Sequence, residues 1–224
     1  MKGPELVQEL RVRLALLADP ARGEQQTRYL KYQQDCLGIA MPVIRKNVGQ
    51  LSKLYQPETP MEFRQAIDPL WGGRWREERY AAQLLADRWK TWRWKDSLAV
   101  YEHMVRTGQW WDLVDFIATS LVGRLLLEHP DMRKRVYRWI GDSNMWIRRT
   151  ALLCQIKHKD QTDTGALEDM ILKTAHEKEF FIRKAIGWAL RSHAYTDPEY
   201  VRALVKRHQD ALSPLSRREA LKNI

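Results

Sequence analysis

The sequence predicts an all-α fold: an α-solenoid of helix pairs with a concave basic face. Three observations predict it. Turn residues, among them Pro20, Pro42, Pro60, Gly72-Gly73, Gly108, Pro130, Gly141-Asp142-Ser143, Pro198 and Pro214, punctuate the chain at helix-length intervals. No run alternates apolar and polar residues as a half-buried strand would. The third observation is an internal repeat. "WREERYAAQLLA" from Trp75, "WDLVDFIATSLV" from Trp111, "WIRRTALLCQIK" from Trp146 and "FIRKAIGWALRS" from Phe181 align, with leading aromatics 36, 35 and 35 residues apart.

The elements follow in order. Helices near residues 4–18, 24–35 and 42–55 begin the stack. The four aligned segments form one helix of each pair. "DMRKRVYRWI" (131–140) and "LEDMILKTAHEK" (167–178) supply intervening partners. A helix near 197–208 and the segment "SPLSRREALKNI" (213–224) close it. A helix pair at this period is the signature of HEAT-like or related repeats, whose faces are buried only by stacking. The whole chain, 1–224, is expected to be one domain.

Composition narrows the function. Lys and Arg total 38 against 28 Asp and Glu, for a formal net charge of +10. The excess is spread over helical segments such as "RQAIDPLWGGRWREERY" and "MRKRVYRWI" rather than held in a tail. A folded basic face favours a polyanion, nucleic acid before membrane, over which a plain solubilising surface is the alternative. No stretch approaches the apolar length of a membrane span, and the N-terminus is too charged for a signal peptide. Cytoplasmic localisation, with action at the nucleoid, is expected. Cys36 and Cys154 match no metal or redox spacing and read as core residues. His103, His129 and His158 are scattered, and no Gly-rich phosphate loop or nucleophile triad is present. No metal and no cofactor is expected. Trp89, Trp92 and Trp94, interleaved with Arg88, Lys90, Arg93 and Lys95, fit either a stacking surface or a helix end packed on its neighbour. Packing is the commoner case.

The repeat groups four residues. With helical residues about 100° apart, Trp111, Asp115, Arg149 and Trp188 fall within an arc of about 100° when each is measured from its leading aromatic. Lys184 repeats the Arg149 position, and Arg79 repeats the Asp115 position one copy earlier. Asp115 stands out because Leu113, Val114, Phe116 and Ile117 surround it, and an ionised carboxylate there needs a partner. Two readings are open. Asp115 and Arg149 form a buried structural pair with the tryptophans as packing, or the four line a binding face.

At these residues the chain resembles the AlkD family of DNA alkylation-repair glycosylases. The resemblance rests on "WWDLVD" (110–115), "NMWIRRTALL" (144–153), "EKEFFIRKAIGWALR" (177–191), "LSPLSRREALKNI" (212–224) and "RYLKYQQDCLGIAMP" (28–42). It implies that Asp115 is the catalytic carboxylate, with Trp111 and Trp188 as its aromatic partners. It implies that Arg149 and Tyr29 contact DNA, and Lys184 and Arg191 join that basic set. Ala40 and Met41 depart from the polar residues of some members, which bears on base preference. The implied reaction is hydrolysis of the N-glycosidic bond of cationic N3- or N7-alkylated purines in double-stranded DNA, by a monomer. The competing class is a non-catalytic repeat scaffold that binds DNA or protein. An acid at the centre of a basic DNA grip would repel phosphate, which argues against a pure scaffold.

Overall fold

The computed structural model describes residues 1–224. It is all-helical, 71% helix without strands, consistent with the α-solenoid repeat fold. Its contacts group into two compact units, residues 1–100 and 101–224.

In the first unit, α1 (Gly3–Leu16), α2 (Pro20–Tyr29), α3 (Met41–Leu51), α4 (Pro60–Trp71) and α5 (Arg76–Arg88) follow the expected punctuation. Pro20, Pro42 and Pro60 sit in the first turns of α2, α3 and α4, where a missing N–H costs nothing. Asp19 and Thr59 cap α2 and α4 by accepting from the backbone N–H of Arg22 and Glu62. Leu6, Leu10 and Leu14 recur every fourth residue on α1 and are buried. α1 packs on α3 and α4, and α5 on α3 and α4.

The expected helix over 24–35 stops at Tyr29. Lys31 and Tyr32 then take left-handed φ angles of 57° and 59°. The cause is tertiary anchoring. Thr27 receives the backbone N–H of both Tyr32 (on its carbonyl, 2.9 Å) and Cys36 (on its hydroxyl, 3.0 Å). The buried carboxylate of Glu77 on α5 accepts the backbone N–H of Leu37, Gly38 and Ile39 at 2.9, 2.9 and 3.2 Å. Gly38 has φ +88°, and a Cβ there would lie 2.1 Å from the Asp19 carbonyl oxygen, so no other residue fits.

The tryptophan cluster after α5 is packing for its two ends. Trp89 is buried, donates its indole N–H to the Tyr55 carbonyl at 2.9 Å and meets the Tyr55 ring edge-on. Trp94 meets Phe63 with centroids 6.3 Å apart.

α6 (Ser97–Gly108) leads into the second unit. There the segment from Trp111 is one helical run of changing pitch: α7 (Trp111–Phe116), a π-helical stretch (Ile117–Val122) and α8 (Gly123–Glu128). The expected helix over 131–140 is instead a single α-turn, α9 (Arg133–Tyr137), between 3₁₀ turns at Pro130–Met132 and Arg138–Gly141. α10 (Met145–Leu153), α11 (Thr164–Thr174), α12 (Phe180–Ala194), α13 (Pro198–Arg207) and α14 (Pro214–Ala220) complete the unit. Asn144, Asp163, Asp197 and Ser213 cap α10, α11, α13 and α14. α10 packs against α7, α11 and α12, and α12 against α13 and α14.

Cys36 and Cys154 are free and buried, and burial pushes the Cys154 thiol up to about 12. His158 is buried with Nε2 2.8 Å from the Gly123 carbonyl oxygen, a core histidine. No helix is long and apolar enough to cross a membrane.

Candidate functional site

Asp115 lies on the last full turn of α7, just before the helix widens into its π stretch. Such stretches cost regular hydrogen bonding and recur at functional sites. All six π residues, Ile117 to Val122, are buried, so the widening lies within the packed core. Sequence periodicity carries no signal for it.

α10 brings Arg149 to Asp115. Nε donates to Oδ1 at 2.7 Å and Nη2 to Oδ2 at 2.8 Å, a parallel two-point pair. Nη1 donates to the carbonyl oxygen of Phe181 on α12. The Arg149 side chain is 5% exposed, that of Asp115 18%. Three of the five guanidinium N–H groups are thus committed, and Arg149 is not displayed to solvent as a ready phosphate ligand. Asp115 keeps an open edge. Burial raises its carboxyl above the ordinary value, Arg149 pulls it back down, and Asp112 raises it further.

Aromatic rings line the Phe181 side of the pair. Trp110, Trp146 and Phe181 form a triad with centroid separations of 5.9, 4.9 and 5.5 Å, and the Arg149 guanidinium lies 5.8 Å from the Phe181 ring. Trp110, the N-cap of α7, supplies the α7-side ring of this triad. Trp111 begins α7 and is half-buried.

Trp188 is half-buried on α12. Lys184 and Arg191, flanking it on the same helix, both reach Glu219 of α14 at 3.0 Å. Lys184 holds the Glu219 carboxyl below its usual range, with Arg191 adding to the effect. Gly187 permits this. A Cβ there would lie 2.4 Å from Glu219 Cβ and 2.9 Å from the Ser216 carbonyl oxygen, so only glycine lets α14 seat. Glu219 escaped sequence reasoning because its partners lie 28 and 35 residues away.

Two residues singled out in the sequence belong to the first unit. Tyr29 closes α2 and is 69% exposed. Arg79, at the repeat position of Asp115, donates Nε to the Trp71 carbonyl at 3.0 Å and lies over the Trp71 ring. No group of three or more His, Cys, Asp or Glu side chains is arranged to hold a metal ion.

Helix-pair repeats that position a buried carboxylate–guanidinium pair beside an aromatic triad define a repeat protein with a built polar site. A sequence model described as DNA alkylation repair enzyme matches residues 10–224, and the chain belongs to that family. A solved structure titled "Predicted DNA alkylation repair enzyme from Enterococcus faecalis" is similar, with 30% identity and a TM-score of 0.85 over 92% of this chain and 96% of that one. No protein of curated function matches. DNA alkylation repair is accordingly the field in which this chain works, and DNA its implied partner.

Proposed function

We propose that the protein is a DNA glycosylase that hydrolyses the N-glycosidic bond of cationic N3- or N7-alkylated purines in duplex DNA. The observation that carries this reading is the mostly buried Asp115 carboxylate, held by Arg149 and still 18% exposed. Enclosing the whole pair would cost more solvation, and a ligand reaches the pair only from the side left open. Here the guanidinium is enclosed and the carboxylate retains an accessible edge.

The chemistry suits that edge. An alkylated base already carries positive charge and departs neutral, so a strong general acid is unnecessary. Positive charge grows on the sugar as the bond breaks. Arg149 takes one lone pair of each Asp115 oxygen, and the remaining lone pairs are available to oppose that cation or to orient a water. Because Arg149 fixes the carboxylate beforehand, little reorganisation is needed when the charge develops. Trp111 and Trp188 offer ring faces to the sugar and the cationic base, where a desolvated contact is worth about 2 kcal/mol.

Arg149 serves here chiefly as the support of Asp115. Any contact it makes with a flanking phosphate requires the pair to loosen. Lys184 and Arg191, less buried, are the better phosphate ligands on α12, and the exposed Tyr29 is a DNA contact in the first unit. A basic repeat face and a monomeric state belong to the same reading. The test is direct: incubate the protein with methylated duplex DNA and measure released bases by chromatography. Release of 3-methyladenine or 7-methylguanine above the spontaneous rate supports it. Tight binding without release leaves the scaffold reading.

A further inference from the structure

A second feature lies on helices that carry none of these residues. Between the α9 segment and α11 runs an open groove of about 620 Å³. Its apolar wall is the Tyr137 ring with Ile140 and Gly141. The Tyr137 hydroxyl is buried, so the ring carbons are what the groove presents. The rim is basic: Lys134 and Arg138 are exposed, and Lys173 stands across from them on α11. Asp169 offsets one charge, pairing with Lys173 at 2.7 Å. Three cations and one carboxylate leave the rim net positive.

We infer that this groove docks an acidic peptide segment of a partner protein, one with apolar side chains between its carboxylates. Charge complementarity selects an anion. The apolar wall decides which kind. A duplex spaces its phosphates rigidly and holds its sugars and bases between them, so it cannot lower a free apolar side chain into the space between the cations. A peptide that alternates Asp with Leu or Phe fills both, its carboxylates on the rim and its side chains against Tyr137 and Ile140. A peptide seated on α9 and α11 leaves α7, α10 and α12 unencumbered. The inference does not depend on the glycosylase reading.

Gly141 makes the test clean. A Cβ at this position meets nothing within 4 Å, and its φ lies outside the left-handed region, so a side chain enters open space without disturbing the fold. The probe is a fluorescein-labelled ten-residue peptide alternating Asp with Leu and Phe, followed by anisotropy. Saturable binding to the wild type is expected. Gly141→Phe, with charge unchanged, and Lys134→Glu/Arg138→Glu should each weaken it at least tenfold, and Gly141→Phe should leave excision of methylated bases unchanged. Loss of binding in the charge variant but not in Gly141→Phe would overturn the proposal in favour of a diffuse basic patch. Displacement of the peptide by unmodified duplex, again without effect of Gly141→Phe, would assign the surface to nucleic acid. Absence of binding to the wild type would overturn it outright.

Discussion

Arg149 grips Asp115 with two parallel hydrogen bonds, 2.7 and 2.8 Å long, and ties the pair to α12 through the Phe181 carbonyl. One guanidinium thus joins three successive repeat helices, α7, α10 and α12. The buried-pair reading of the sequence and the catalytic reading therefore describe the same contact. They differ in what happens when the contact is altered.

Asp115→Asn separates them first. It keeps the shape and one acceptor for Arg149 but removes the charge. Single-turnover excision should fall by about two to three orders of magnitude, comparable to losing one preorganised electrostatic stabiliser. DNA affinity should stay equal or tighten slightly, because a repulsion with phosphate disappears. A variant that still excises methylated bases at the wild-type rate would reduce Asp115 to a structural partner.

Arg149→Met should be worse for the fold. It leaves the Asp115 carboxylate partly buried beside apolar residues and breaks the tie to Phe181. Removing one partner of a buried pair costs about 3–5 kcal/mol. Denaturant melts should show that loss. The double variant Asp115→Asn/Arg149→Met should be less destabilised than the two single losses summed, by about 0.5–3 kcal/mol. Simple additivity would mean that the two side chains are not coupled in solution.

The pH dependence has two opposite signs. The Asp115 carboxyl is raised by burial, so the folded state holds its proton to higher pH than the unfolded chain. Its contribution to stability is present below the unfolded value of about 3.9 and is lost as pH rises through the folded value. On the proposed mechanism excision needs the ionised form, so its single-turnover rate should rise with pH along a limb displaced above about 3.9. Asp142, Glu168 and Glu219 are lowered, by Arg106, by His208 and by Lys184 in turn. Their stability is present above the ordinary carboxylate range and is lost as pH falls through their folded values. Acid unfolding should therefore begin below about pH 4. A rate limb at or below an ordinary aspartate's value would contradict the buried setting of Asp115.

The helices were legible because their signals are local. Proline and capping residues mark their starts, and the leading aromatics mark their period. What escaped was set by contacts distant in sequence. The path of the chain after α2 ends at Tyr29 depends on Glu77, 40 residues from Leu37. The choice between Trp110 and Trp111 as the stacked ring was invisible, because adjacent tryptophans fit the same aromatic period to within one residue. The grouping of Asp115 with Arg149 was visible from helical angles, since equivalent helices of stacked repeats lie side by side. That Arg149 would be consumed by its pair with Asp115, and Lys184 and Arg191 held less deeply by Glu219, needed the side chains in place.

Glu219 follows from that last point and gives the sharpest test of the α12 cations. It accepts from both Lys184 and Arg191 at 3.0 Å, so it competes with phosphate for the same two side chains. Glu219→Gln weakens that hold and raises the net charge by one. The lost pairs are partly exposed and each contributes about 1 kcal/mol or less, so the fold should survive with a small fall in melting temperature. Duplex affinity should rise, and the slope of its logarithm against the logarithm of salt should steepen by about one to two, from one added phosphate contact per released cation. A charge-matched control lies elsewhere in the same unit. Glu168→Gln also raises the net charge by one, and it frees Arg207 and His208 instead. If general electrostatics governed binding, the two variants would gain equally. A gain confined to Glu219→Gln would place Lys184 and Arg191 against the DNA backbone, and equal gains would remove them from the interface.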